Sequence, residues 1–137
     1  MISLEPMQQS DVPFVLDSWL RSSAPYESFK EGCDKARHFK TERLVAERCL
    51  ADGTTLVAVI PGSGERQLAG WICYGPLAVH FVYVKSILRG NGVGSALVKA
   101  ALAGSTEGRY SHETKCWRGL MRAFPEVTWS HCTSALG

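Results

Sequence analysis

The sequence predicts an α/β fold with a mixed, mainly antiparallel central sheet flanked by helices. Three observations predict it. Segments with apolar residues three and four apart are interspersed with short β-branched and aromatic runs, the periods of helix and strand. Two of those runs are joined by "PGSGER", whose proline and glycines read as a hairpin loop, so they pair antiparallel. The most apolar run, "PLAVHFVYV", passes through a glycine-rich turn directly into a helix.

The elements follow in order. "ISLEP", residues 2 to 6, reads as a short strand before a turn. Ser10 or Asp11 then caps a helix that carries Pro13 in its first turn, where a missing N–H costs little. Val12, Val15, Leu16, Trp19 and Leu20 repeat at i, i+3, i+4, i+7 and i+8 and so make one buried face. "RSSAPYESFKEG" mixes Ser, Pro, Gly and aromatic residues as a surface loop does. A second helix runs from Cys33 to Ala51, with Gly53 as its stop. "TTLVAVI" and "QLAGWICYG" are the hairpin strands. "PLAVHFVYV" is apolar at seven of nine positions, counting Pro76, which marks a central strand covered on both faces. Val93, Leu97, Ala100 and Ala101 form one face of the next helix, which Gly104 ends. The tail offers a short strand around "RYSHET", a helix over "KCWRGLMRAF" stopped by Pro125, and a last strand in "EVTWSHC".

Composition limits the function. The 137 residues suit one domain, 1–137, that buries a single core without cross-links. Apolar residues are 45% and charged residues 20%, as in a soluble globular protein. A net charge of +2 is too small for a nucleic-acid partner, so any phosphate site must be a local feature. Cys33, Cys49, Cys73, Cys116 and Cys132 are odd in number, widely spaced and without a CxxC pair, which reads as free thiols in a reducing cytoplasm. "MISLEPMQQSDVPF" lacks the basic start of a signal peptide and no apolar run approaches 18 residues, so neither export nor a membrane is expected.

The glycine segment carries the sharpest signal. "RGNGVGSALVKAAL" places glycine at 90, 92 and 94 and then becomes amphipathic. Such a turn aims several backbone N–H groups at one point, and the helix N-terminus adds roughly half a positive charge there, so an anion such as a phosphate fits. Arg89 stands where it can neutralise a pyrophosphate from the side. A P-loop fails because Ser95 and Ala96, not Lys and Ser or Thr, follow Gly94; the dinucleotide fingerprint GxGxxG fails because position 95 is not glycine. What remains is R-x-x-G-x-G, met by Arg89, Gly92 and Gly94.

With that motif, "VYVKSILRGNGVGSALV" resembles the GNAT superfamily of acyl-CoA-dependent N-acyltransferases, and the element order from Met1 to Cys132 is similar too. The resemblance implies a GNAT-like fold and acetyl-CoA as cosubstrate, with no metal. It implies that the backbone of Val82, Tyr83 and Val84 bonds the pantetheine arm, and that the amides of Arg89, Gly90, Asn91, Gly92, Val93, Gly94 and Ser95 take the pyrophosphate. The side chains of Asn91 and Val93 then matter less than their N–H groups. It implies transfer of an acetyl or other acyl group to a primary amine on a small molecule or peptide, and it allows a homodimer.

Direct transfer needs the amine deprotonated, the thioester carbonyl polarised and a proton returned to the thiolate. Members of the family often place a glutamate on the central strand and a tyrosine in the last helix. Here no acid stands between Leu77 and Leu88, and "TKCWRGLMRAF" holds no tyrosine. His80, with an ordinary pKa of about 6.5, is the substitute base, and by alternation it shares a face with Ala78 and Val82; a core histidine is the plainer role. Tyr83 is the candidate acid, Tyr110 the other tyrosine within range, and both also fit as ordinary strand residues. Cys116 as a nucleophile is supported only by Lys115 and Arg118 beside it. His112 with Cys116, and His131 with Cys132, make poor metal spacing. Lys115, Arg118 and Arg122 form a basic helical face that solvation explains. By the same resemblance "APYESFKEGCDKARHF" shapes the acceptor pocket, with Tyr26, Glu27, Phe29, Glu31 and Asp34 able to receive an amine. The missing acid and tyrosine leave one rival, a coenzyme-binding regulatory protein without chemistry; the compact length and unusual tail permit a second, a phage-type scaffold without coenzyme.

Overall fold

The apolar runs pair edge to edge in the order in which the chain makes them. The protein's computed structural model describes residues 2–23, 35–62, 64–75, 78–110 and 115–131. Strands β1 (Ser3–Pro6), β2 (Thr54–Ile60), β3 (Gln67–Tyr74), β4 (Val79–Val84), β5 (Glu107–Tyr110) and β6 (Thr128–His131) form a six-stranded sheet in the order β1-β2-β3-β4-β5-β6. The pairings β1 to β2, β2 to β3 and β3 to β4 are antiparallel; β4 to β5 and β5 to β6 are parallel. The mixed, mainly antiparallel sheet is the one the sequence predicts. β5 starts earlier than "RYSHET", at Glu107, and residues 111–114 lie outside those described.

Helices cover both faces. On one side α1 (Val12–Ser23) and α2 (Lys35–Asp52) bury Val15, Trp19, Ala46 and Cys49 against Val57, Trp71, Cys73 and Phe81. On the other, α3 (Val93–Leu102) and α4 (Lys115–Arg122) bury Val93, Leu97, Val98 and Trp117 against Ala58, Ile72, Val79 and Val82. β4 thus contributes Phe81 to one core and Val82 to the other, the two-sided burial that its unbroken apolar run requires.

Buried polar groups are paired where the aromatic layer is densest. The Trp71 indole Nε1 donates to Ser18 Oγ at 2.8 Å, Ser18 Oγ in turn donates to the Phe14 carbonyl at 2.7 Å, and Trp19 Nε1 donates to Glu42 Oε1 at 3.1 Å. Trp19 lies stacked on Phe81 with centroids 4.7 Å apart and on Trp71 at 5.5 Å. The polar ends of the Trp71 and Trp19 indoles are thus satisfied while their rings fill the core.

Two bulges break the strand alternation. Between Ala58 and Val59 the partner on β3 skips from Gly70 to Leu68, leaving Ala69 as an extra residue; between Cys73 and Tyr74 the partner on β4 skips from Phe81 to Val79, leaving His80 as the extra one. The second bulge explains why Val79 and Val82 share a core although strict alternation would separate them. It also corrects the expectation that His80 alternates simply with Ala78 and Val82.

The helix ends differ from expectation at three places, one of them the end of α1, which continues through residues 21–23 where the sequence predicts a surface loop. Asp11 does not cap α1: a 3-10 turn, Gln9–Asp11, runs straight into the helix, and the Asp11 carboxylate turns back to accept the Gln8 N–H at 2.9 Å. It is only 4% exposed, and Arg66 donates to it twice, from Nε and Nη2, both at 3.1 Å, while Arg66 Nη1 donates to Glu5 Oε1 at 2.8 Å. A buried carboxylate needs such a partner, and the pair outweighs a cap. At the end of α3 the first left-handed residue is Ala103, φ 50°, with Gly104 following at φ 85°. Gly53 does stop α2: its N–H donates to the Cys49 carbonyl at 2.8 Å, and a Cβ there would stand 2.8 Å from the carbonyl oxygens of Cys49 and Tyr74.

Candidate coenzyme and acyl-transfer site

The site begins with the backbone direction of β4. The Lys85 N–H donates to the Ala69 carbonyl at 2.9 Å, so Lys85 and, by alternation, Tyr83 turn their backbone groups toward β3. Val82 and Val84 therefore turn theirs to the opposite edge. There β5 meets β4 in register at one position, Val79 opposite Tyr110, and at Val82 and Val84 that edge has no strand partner among the described residues. Of the three residues expected to offer backbone to a pantetheine arm, Val82 and Val84 face the open edge; Tyr83 does not, because its backbone is used by the hairpin.

A 3-10 turn, Ser86–Leu88, leads from the strand to the glycine segment. Gly90 has φ 86° and Gly92, the N-cap of α3, has φ 80°, conformations that glycine adopts without the cost of a Cβ. Gly94 serves another purpose: a Cβ there would come 2.7 Å from Leu120 Cδ2 and 3.5 Å from Val84 Cγ2, so its absence lets α3 pack closely on α4 and β4. The first N–H groups of α3, at Val93, Gly94 and Ser95, precede the first intrahelical bond, from the Ala96 N–H to the Gly92 carbonyl at 3.0 Å. Together with the turn they form a cluster of donors at the positive end of the helix dipole.

Three details of the turn differ from the sequence-based reading. The Arg89 N–H is already donated, to the Ser86 carbonyl at 3.3 Å, so the row of available amides runs from Gly90 to Ser95. The side chains of Asn91 and Val93 are not incidental: Asn91 Nδ2 donates to the Leu88 carbonyl at 3.1 Å and ties the turn, and Val93 is buried in the core. The Arg89 side chain folds back along the strand edge, with Nε donating to the Val84 carbonyl at 3.1 Å.

The candidate catalytic residues lie along the same strand. His80, the bulge residue, is 6% exposed, with Nε2 packed against Gly75. Tyr83 stands on the α1 face, its ring 6.1 Å edge-on from Phe14 and 6.3 Å from Trp71, and Lys85 Nζ lies 5.3 Å over the Phe14 ring. His80 and Tyr83 are three positions apart, about 10 Å of strand. Tyr110 packs on Trp117, centroids 5.7 Å apart, in the other core. Tyr26, Glu27, Phe29, Glu31, Asp34, His112 and Cys132 lie outside the described residues, as do the side chains of Lys115, Cys116, Arg118 and His131.

The described thiols are unsuited to nucleophilic work. Burial, with Glu42 nearby, pushes Cys49 up to about 11, and burial, with Cys49 beside it, pushes Cys73 up to about 12. Among the described residues no three His, Cys, Asp or Glu side chains stand together as metal ligands would, and no helix is long and apolar enough to cross a membrane.

A model of the acetyltransferase (GNAT) family matches residues 13–116. No curated protein matches the sequence. Among solved structures, apo YjaB from Escherichia coli is 18% identical with a TM-score of 0.62, over 89% of this chain and 80% of that one. A Corynebacterium glutamicum protein described as histone acetyltransferase HPA2 and related acetyltransferase is 19% identical, TM-score 0.59, over 89% and 83%. A predicted acetyltransferase from Clostridium acetobutylicum, solved with acetyl-CoA, is 13% identical, TM-score 0.55, over 91% and 89%. At these identities the structural likeness is one of fold.

Proposed function

Because the chain belongs to the GNAT acetyltransferase family, we propose that it is an N-acyltransferase that carries an acetyl group from acetyl-CoA directly to a primary amine of a small molecule or peptide. One observation carries this reading: the β4 edge that Val82 and Val84 turn outward leads, through the 3-10 turn Ser86–Leu88, to the row of turn amides from Gly90 to Ser95. The turn suits a pyrophosphate and the edge suits an amide-bearing arm, which would add to the strand as an extended peptide does. Four strand residues span about 13 Å, so an arm anchored at the turn and laid along Val84 and Val82 would bring its thioester to the bulge at His80.

At the bulge the chemistry is direct. The neutral amine adds to the thioester carbonyl carbon, forming the C–N bond, and collapse of the tetrahedral oxyanion breaks the C–S bond. His80 takes the proton lost by the nitrogen, and Tyr83 gives its hydroxyl proton to the departing thiolate. Return of the His80 proton to Tyr83 through water restores both residues. General base assistance of this kind contributes roughly a hundredfold to ten-thousandfold. Transfer of acetyl from acetyl-CoA, followed as free thiol across a panel of amines and peptides, tests the reading, with His80→Ala expected to lose roughly a hundredfold or more while coenzyme binding is kept.

One observation favours a second reading, a coenzyme-binding protein that has lost the chemistry. His80 is 6% exposed, as a core histidine is. Coenzyme binding without transfer to any amine would select that reading.

A further inference from the structure

The hairpin between β3 and β4 places a glycine under the imidazole of His80. The Gly75 N–H donates to the Ala78 carbonyl at 2.8 Å, which closes the turn, and His80 follows two residues later as the extra residue of the bulge. A Cβ on Gly75 would stand 3.1 Å from His80 Nε2 and 3.9 Å from His80 Cε1, and apart from the chain neighbours of Gly75 no other atom of the described residues comes within 4 Å of it. Gly75 is not among the glycines with positive φ. A left-handed φ is therefore not the reason for glycine at this position, whereas room for the ring is one.

We propose that Gly75 is a positioning residue for His80: the side chain it lacks leaves the space in which the Nε2 edge of the imidazole rests, and so sets the direction in which the ring meets the reacting groups. The proposal rests on the reading of His80 as the base. A bulge re-aims the side chain of its extra residue, and a re-aimed side chain keeps one orientation only where its surroundings fix it. At His80 the hairpin supplies one side of that surface, at the closest approach the missing Cβ permits. An added methyl group meets the ring at a distance most Cβ contacts do not reach, so the imidazole must rotate or shift by a few tenths of an ångström. Displacements smaller than about 1 Å at a reacting group cost less than the roughly hundredfold seen for a full ångström.

Gly75→Ala tests this. The expected result is a roughly three- to tenfold loss of kcat with KM for acetyl-CoA unchanged, a displaced limb of the pH–rate profile, and a changed NMR titration of the His80 Cε1–H resonance. In the His80→Ala background Gly75→Ala should cost nothing more, since the ring it positions is gone. An equal loss in both backgrounds, or an unchanged His80 resonance, would overturn the proposal by making Gly75 a purely structural glycine. A His80→Ala chain with the rate and pH profile of the parent would overturn it by the other route, removing the histidine from the chemistry. The resonance is read without turnover and so distinguishes the two failures.

Discussion

Arg89 Nε donates to the carbonyl oxygen of Val84 at 3.1 Å, joining the first residue of the phosphate-type motif to the last residue of β4. The bond has two consequences. It holds the glycine turn against the strand edge, and it occupies a carbonyl that a pantetheine amide would otherwise use. Among the described residues Arg89 has no carboxylate partner, so its charge stands unneutralised at the start of the turn.

Arg89→Ala should therefore weaken acetyl-CoA binding by roughly tenfold, the lower end of what a hydrogen bond to a charged group contributes, because the side chain is exposed. Arg89→Lys should recover only part of the loss, since an ammonium lacks the fixed fork that spans a carbonyl and an anion together. Titration calorimetry of the two variants checks both expectations. Equal affinity in all three chains would make the Arg89 side chain irrelevant to the site.

Asp11 sets an acid limit on stability. Burial raises its pKa, but the hydrogen bond from Arg66, the Gln8 N–H and the charge of Arg66 more than offset that, so the folded value lies below the ordinary 3.8. A lowered carboxylate pKa contributes stability that is complete above the unfolded value and is lost as pH falls through the folded one. Urea midpoints of the parent and Asp11→Asn should differ most at pH 7 and converge as the pH drops below about 4. A difference that stays constant down to pH 2 would show that the charge of Asp11 adds nothing.

Much of this was legible in the sequence because most of the signals are local. The strand and helix order, the central place of β4 and the turn at residues 89–95 follow from periodicity and glycine spacing over short windows. The bulges were not legible: β3 and β4 are apolar on both faces, so one extra residue at Ala69 or His80 leaves no break in the pattern. Nor was the Asp11–Arg66 pair, whose members are 55 positions apart and meet only once β1 and β3 are in the sheet. The direction of the Arg89 side chain and the choice of Val82 and Val84 as the outward backbone groups likewise depend on strand register.

The end of α3 gives a stabilising substitution. Ala103 adopts φ 50° and its N–H closes the helix on the Lys99 carbonyl at 3.1 Å, a left-handed cap that glycine occupies more readily. Ala103→Gly should raise stability by about 0.5–1 kcal/mol, which chemical denaturation resolves. A loss of stability would mean that the entropy gained by the unfolded chain outweighs the relieved backbone.

The central claim is that the turn from Gly90 to Ser95 and the edge of β4 hold an acyl-coenzyme A. Calorimetric titration of acetyl-CoA into the protein, beside Gly92→Glu, tests it most directly. Glutamate at 92 sets a carboxylate against the phosphates at a φ of 80°, so specific binding by the parent and none by the variant is the predicted result, with thermal melts showing that both are folded. No binding by the folded parent, or equal binding by the two chains, would contradict the claim and leave Arg89 to Ser95 as a turn that only packs α3 against β4.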